Sequence, residues 1–385
     1  MRKLCANNNG FTLIETLITV VLFVVVIMIT TQIFNLMLPK TKLISKSETS
    51  NIQGVVGLEM FRRDLEQAGF GLFTDIDAPP PAYLEAASTP QSNYNDAPND
   101  IPRAIVAGNA NNTTDIAGVL PGSDYLVIKG TNAALNTASQ CWTSIKGFDP
   151  QKTWGANDLQ ETRNDWVAVV SQGYKNGELQ RKLIYDAAHT VPYKADGTYA
   201  APFAPNTADK QYFYYGIDSI APRAPFNRTD YFVRRSADVP AGCSPAAGVL
   251  YKSVMDQSDG SMRDLALLDC VADMQVVLGW NTLSDPSGNA VDTYTNAEGS
   301  LPSGTVNAQS IDDPKVIRTR LKLVKVYILA QDGGFDRNYA NTETAMRIGE
   351  AGETGDPKFI DLTQPNYRNY RWKLYRLVVR PKNLM

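Results

Sequence analysis

Between Glu15 and Lys40 the chain carries no charged residue, and Leu, Ile, Val, Phe and Met fill most of those positions. At roughly 1.5 Å per residue, a helix over residues 16–38 is long enough to cross a bilayer. Glu15, just inside the apolar segment, is the single charge between Phe11 and Lys40. A lone carboxylate there costs a few kcal/mol in hydrocarbon unless it finds a partner, which marks it as a candidate functional residue.

The remaining sequence belongs to a mainly water-exposed molecule. The apolar fraction is 43% and the formal net charge −3, which gives no electrostatic footprint for nucleic acid. No phosphate loop or dinucleotide fingerprint is present, so no cofactor is expected. With one histidine, His189, and four cysteines at spacings unlike any zinc pattern, no metal site and no catalytic set emerge. His189, in an Ala-Ala-His-Thr context, is expected in a surface loop. The nearest approach to a cation loop runs from Asp332 to Glu343. Its third position is glycine and Arg337 stands where an EF-hand has glycine, so a solvated turn is expected there. The sequence is expected not to be an enzyme.

Residues 1–10 are short and polar, with Arg2 and Lys3 and no acid. A secretory signal would be cut after its apolar region at a small-residue site, and none follows Leu38. Cys5 has no apolar stretch before it and is no lipoprotein acceptor. Lysines flank the far end of the span too (Lys40, Lys42, Lys46), so charge bias leaves topology undecided.

The run Gly10-Phe11-Thr12-Leu13-Ile14-Glu15, set directly on such a helix, resembles the class III signal of type IV pilins and pseudopilins. The resemblance implies that a prepilin peptidase cuts between Gly10 and Phe11 and methylates the Phe11 amine. It also implies that Glu15 serves subunit assembly by pairing with a Phe11 amine, and that the body lies outside the inner membrane. Residues 1–10 are then a leader and 11–38 a membrane or filament-core helix.

Pro39 is expected to kink this helix or to start a fresh one. Beyond it Leu43, Ser47, Gly54, Leu58, Phe61, Leu65 and Ala68 recur at three- and four-residue spacing, the pattern of an amphipathic helix. Gly69 and Gly71 should end it, so residues 39–70 continue the helix against a folded body. Residues 71–122, rich in Pro, Ala, Asn and Asp, read as a loop-rich insertion with a short apolar hint at Ile105 and Val106. Strand patterns follow at residues 124–129, 165–170, 211–216, 230–234, 248–251, 274–280, 320–329 and 370–379. No strong helix intervenes, which predicts an α+β fold with an antiparallel sheet over residues 71–385.

The helix end 58–71, the stretches 243–251, 268–277 and 318–329 and the C-terminal run from Tyr370 resemble minor pilins of the PilW family. That likeness implies an initiating role in pilus assembly, at a tip or in a priming complex. Its partners would be other minor pilins, the major pilin and the inner-membrane assembly machinery. A minor pseudopilin of a type II secretion system, or a membrane-tethered periplasmic enzyme or binding protein, are the alternatives. With the body outside the inner membrane a disulfide is expected. Cys243 and Cys270 are favoured because both lie near one run of strand-like sequence, and the bond would contribute about 3 kcal/mol in the chain-entropy model. The alternative is that Cys141, Cys243 and Cys270 are all free and buried.

Overall fold

Residues Leu13–Gln67 form one helix, α1, which runs through Pro39 without a break. The structure, a computed structural model, describes residues 12–76, 83–97, 100–109, 118–155, 158–175, 178–205, 208, 210–235, 239–285, 288–297, 313–350, 353 and 358–384. Gly10, Phe11 and Cys5 lie outside them. The chain divides into two compact units, residues 1–49 and 50–385.

Within the second unit two antiparallel sheets and a hairpin make an α+β body. The larger sheet orders its strands as β1 (Ile105–Asn109), β2 (Asp124–Gly130), β8 (Asn227–Arg234), β9 (Gly248–Met255), β10 (Met262–Trp280), β12 (Leu321–Asp332) and β15 (Arg371–Val379), with β11 (Thr293–Asn296) also on β10. The smaller sheet is β3 (Trp142–Lys146), β7 (Gln211–Asp218), β4 (Trp166–Lys175) and β5 (Glu178–Ile184), with β6 (Val191–Pro192) beside β4. β13 (Ala345–Ile348) and β14 (Lys358–Asp361) form the hairpin. Two short helices, α2 (Pro314–Arg320) and α3 (Pro365–Arg368), precede β12 and β15.

Each of the eight expected strand patterns falls on a strand. The insertion differs from expectation: it carries β1 and a 3-10 turn at Gln91–Tyr94. β1 is short, and its backbone partners lie in β2, some twenty residues on (Ile105 opposite Ile128), so composition hid it. From Gly54 onward the helix face is as patterned; the side chains of Leu43 and Ser47 lie outside those described. Phe61, Leu65 and Ala68 are fully enclosed and Gly54, Gly57 and Leu58 are buried, whereas Glu59, Arg62 and Arg63 face solvent. Each large side chain enclosed in this way contributes about 2 kcal/mol of hydrophobic stabilisation. Gly69 and Gly71, at φ +81° and +70°, take the left-handed backbone that ends α1.

His189 is not on the surface. Only 7% of it is exposed, its ring meets Tyr83 edge-on at 5.6 Å, and its buried Nδ1 has no hydrogen-bond partner. Burial lowers its pKa against a smaller opposing effect from a hydrogen bond to the Arg223 main chain. An unfolded histidine titrates near ~6.5, so below that pH the unfolded chain takes up a proton that the native state refuses. Stability should therefore fall as pH drops from about 6.5 towards the lowered native value. Because this is the sole histidine, His189→Asn should flatten that slope in urea midpoints measured across the window. An unchanged slope would assign the pH dependence to carboxylates.

Candidate functional site

The span that could enter a membrane is Leu13–Asn35, 23 residues long and exposed throughout in the structure. Hydrocarbon offers no partner to a hydroxyl, and this segment satisfies its own. Thr16 Oγ1 donates to the Leu13 carbonyl at 2.9 Å, Thr19 to Thr16 at 2.9 Å, Thr30 to Val26 at 2.8 Å and Thr31 to Ile27 at 2.8 Å. Besides the Gln32 and Asn35 amides near the far end of the span, what remains polar is the first turn.

There Glu15 has a partner on its own chain. Glu15 Oε2 accepts from the Thr12 backbone N–H at 2.9 Å and from Thr12 Oγ1 at 3.0 Å, while Glu15 N–H donates to Thr12 Oγ1 at 3.4 Å. This reciprocal Thr-x-x-Glu arrangement is a capping box, which satisfies otherwise orphaned donors at a helix start. The signal lay in the sequence at Thr12 and Glu15, hidden behind the reading of Glu15 as a partner for an amine. Helix geometry thus holds the carboxylate at the extreme N-terminal end of α1, where the helix dipole favours a negative charge.

Residues 5–31 match the family model described as the prokaryotic N-terminal methylation motif. The N-terminus is of the pilin or pseudopilin type. That motif and the apolar helix fit a membrane-anchored chain with a C-terminal body. No curated protein and no solved structure matches the chain.

The second half of the element is the seat of α1 on the large sheet. Phe61 stacks on Tyr231 of β8, ring centroids 3.8 Å apart and planes within 4°. One helical turn on, Asp64 Oδ2 accepts from Tyr231 Oη and from Lys252 Nζ of β9. Burial, and then the Asp64 charge, push the Tyr231 phenol well above its ordinary range, so it remains a proton donor. At Gly57 the helix comes so close that a Cβ would lie 2.6 Å from the Leu267 carbonyl oxygen of β10. Stack, charge clasp and close approach together fix both the rotation and the register of residues 54–67.

A second polar cluster ties the insertion to the sheet. Lys129 Nζ (β2) donates to Glu85 Oε1 at 2.7 Å. The Arg228 guanidinium (β8) reaches Glu85 Oε2 at 2.9 Å, Asn95 Oδ1 at 2.7 Å, the Gln91 carbonyl at 2.8 Å and both oxygens of Asp230. Tyr125 Oη adds a bond to Asp230. Lys129, Arg228 and Asp230 are fully enclosed and Glu85 nearly so. Burial lowers the Lys129 pKa; burial opposes the Arg228 charge too, but Asp230 and Glu85 outweigh it and raise the value. The pairing of two cations with two anions makes this a structural lock.

The other residues weighed from sequence fall elsewhere. Cys243 and Cys270 are bonded, their Cα atoms 5.0 Å apart, and Cys141 is a buried thiol whose Sγ donates to the Thr137 carbonyl. In the stretch from Asp332, Asp336 accepts from the Asn338 N–H at 3.0 Å and pairs with Arg371 at 3.0 Å, closing a turn onto β15. Among the described residues no group of three or more His, Cys, Asp or Glu side chains is placed to hold a metal.

Proposed function

We propose that this chain is a minor pilin of a type IV pilus, of the PilW kind, a structural subunit that helps to start pilus assembly. The observation that carries the reading is the methylation motif at residues 5–31 on a wholly exposed apolar helix. Prepilin peptidase would remove residues 1–10 and methylate Phe11. The apolar half of α1 would rest in the inner membrane until, with other minor pilins and the major pilin, it enters a filament core. There Glu15 would pair with a Phe11 amine. In a low-dielectric core such a pair sets register more than it adds stability, because desolvation offsets most of the attraction. A body of this bulk suits a low-copy position better than one repeated along a thin shaft.

Mass spectrometry of the mature chain should find N-methyl-Phe11 at its end, and a chain that still begins at Met1 would sink the reading. The capping box gives the Glu15 assignment a sharp test. Glutamine serves as well as glutamate in a capping box but cannot neutralise an amine. Glu15→Gln should therefore leave cleavage and helix intact yet reduce incorporation into pili as strongly as Glu15→Ala. Normal piliation by Glu15→Gln would reduce Glu15 to a helix cap.

A further inference from the structure

The seat of α1 rests on an irregular piece of β10. Between Ala266 and Leu268, and again between Leu268 and Val271, the pairing of β10 with β9 slips register. On the other side the pairing with β12 slips between Val271 and Asp273. A bulged stretch has lost ladder bonds on both sides and needs another restraint to hold one shape. Leu267 and Leu268, in this stretch, are the residues that α1 touches. The Leu267 carbonyl abuts Gly57, and Leu268 Cδ1 lies 3.4 Å from where a Cβ of Gly54 would stand.

The restraint is Cys270, which holds a left-handed backbone, φ +56°, that a cysteine rarely adopts. Its sulfur is bonded to Cys243. The loop around Cys243 is rooted on β12, away from the helix: Ser244 N–H donates to Gln331 Oε1 at 2.7 Å and Gln331 Nε2 donates to the Gly242 carbonyl at 2.9 Å. The bond therefore fastens the bulge to a fixed frame.

We propose that the Cys243–Cys270 disulfide shapes the seat of α1, so that oxidation of these two thiols must precede docking of residues 54–67. In that step each thiol gives up its proton, the S–S bond forms, and the two electrons pass to a disulfide donor that leaves as two thiols. A thiol–disulfide exchange reaction thus stands ahead of helix docking in the maturation of this chain. The inference rests on the body alone and holds whether or not the assembly reading does.

The test is hydrogen exchange of the full chain in detergent micelles, oxidised, then reduced with a phosphine, with Cys270→Gly alongside. Glycine accepts the left-handed backbone but cannot make the bond, which separates the two. Reduction and Cys270→Gly should each speed exchange in residues 54–67 by about tenfold or more, and leave residues 166–184 of the smaller sheet within about twofold. Unchanged protection of residues 54–67 in either sample would overturn the proposal. So would equal loss in both regions, which would make the bond a general brace.

Discussion

Replacing Arg228 by methionine is expected to cost about 3–5 kcal/mol, among the largest losses available to a single substitution in this body. Methionine fills most of the volume but abandons five hydrogen bonds, and it strands Glu85 and Asp230 beside Lys129 with one cation fewer than anions. A buried charge left without its partner loses far more than the pair gained when formed. Arg228→Lys should recover little, because one ammonium cannot reach Glu85 and Asp230 in the forked geometry that the guanidinium uses. Adding Asp230→Asn to Arg228→Met should restore part of the loss by removing the stranded charge. Urea midpoints of the single and double variants give the coupling. An additive double variant would show that the charges do not act as a unit. The same substitution should loosen residues 83–97, since Glu85, Gln91 and Asn95 all bond to Arg228. Protease cleavage there would follow it.

That network marks the boundary of what the sequence could say. Lys129 lies 44 residues from Glu85 and Arg228 lies 143 from it, and no local periodicity links them. The insertion consequently looked like free loop, although its polar side chains are what bind it to β2 and β8. Strands whose side chains alternate or run apolar were legible, β2 and β12 among them. β5, written Glu-Leu-Gln-Arg-Lys-Leu-Ile, was not, because most of it is only half-buried and, among its described side chains, only Leu183 is fully enclosed. β10 was read only over its last residues, since its first half is broken by the register slips around Cys270. The short helix α2 had its signals in place, Asp313 as a cap and Pro314 in the first turn, but the strong strand that follows absorbed them. The N-terminal element was the most legible, since its signals are contiguous: a charge-free run and one acid.

Gly57→Ala should destabilise the body, against the ordinary expectation for a helix. An exposed mid-helix glycine costs about 1 kcal/mol relative to alanine, so the exchange usually stabilises. Here the new methyl would stand 2.6 Å from the Leu267 carbonyl oxygen and 3.1 Å from Leu267 Cβ. The first contact is with backbone in a disulfide-held bulge, which cannot swing aside. The helix must lift instead, and lifting separates Phe61 from Tyr231 and draws Asp64 away from Lys252. Overpacking of this kind costs about 1–3 kcal/mol, and Gly57→Leu should exceed it. Gly54→Ala supplies the control on the same helix face. Its nearest neighbour is the Tyr375 hydroxyl at 3.3 Å, the far end of a side chain that can shift, so the helix-propensity gain should survive there. Opposite signs for the two alanines in thermal unfolding, with near-ultraviolet ellipticity reporting the Phe61–Tyr231 stack, are the expected result. Equal stabilisation by both would mean that α1 does not sit on β10 at Leu267, and the register that Asp64 and Phe61 impose on residues 54–67 would have to be redrawn.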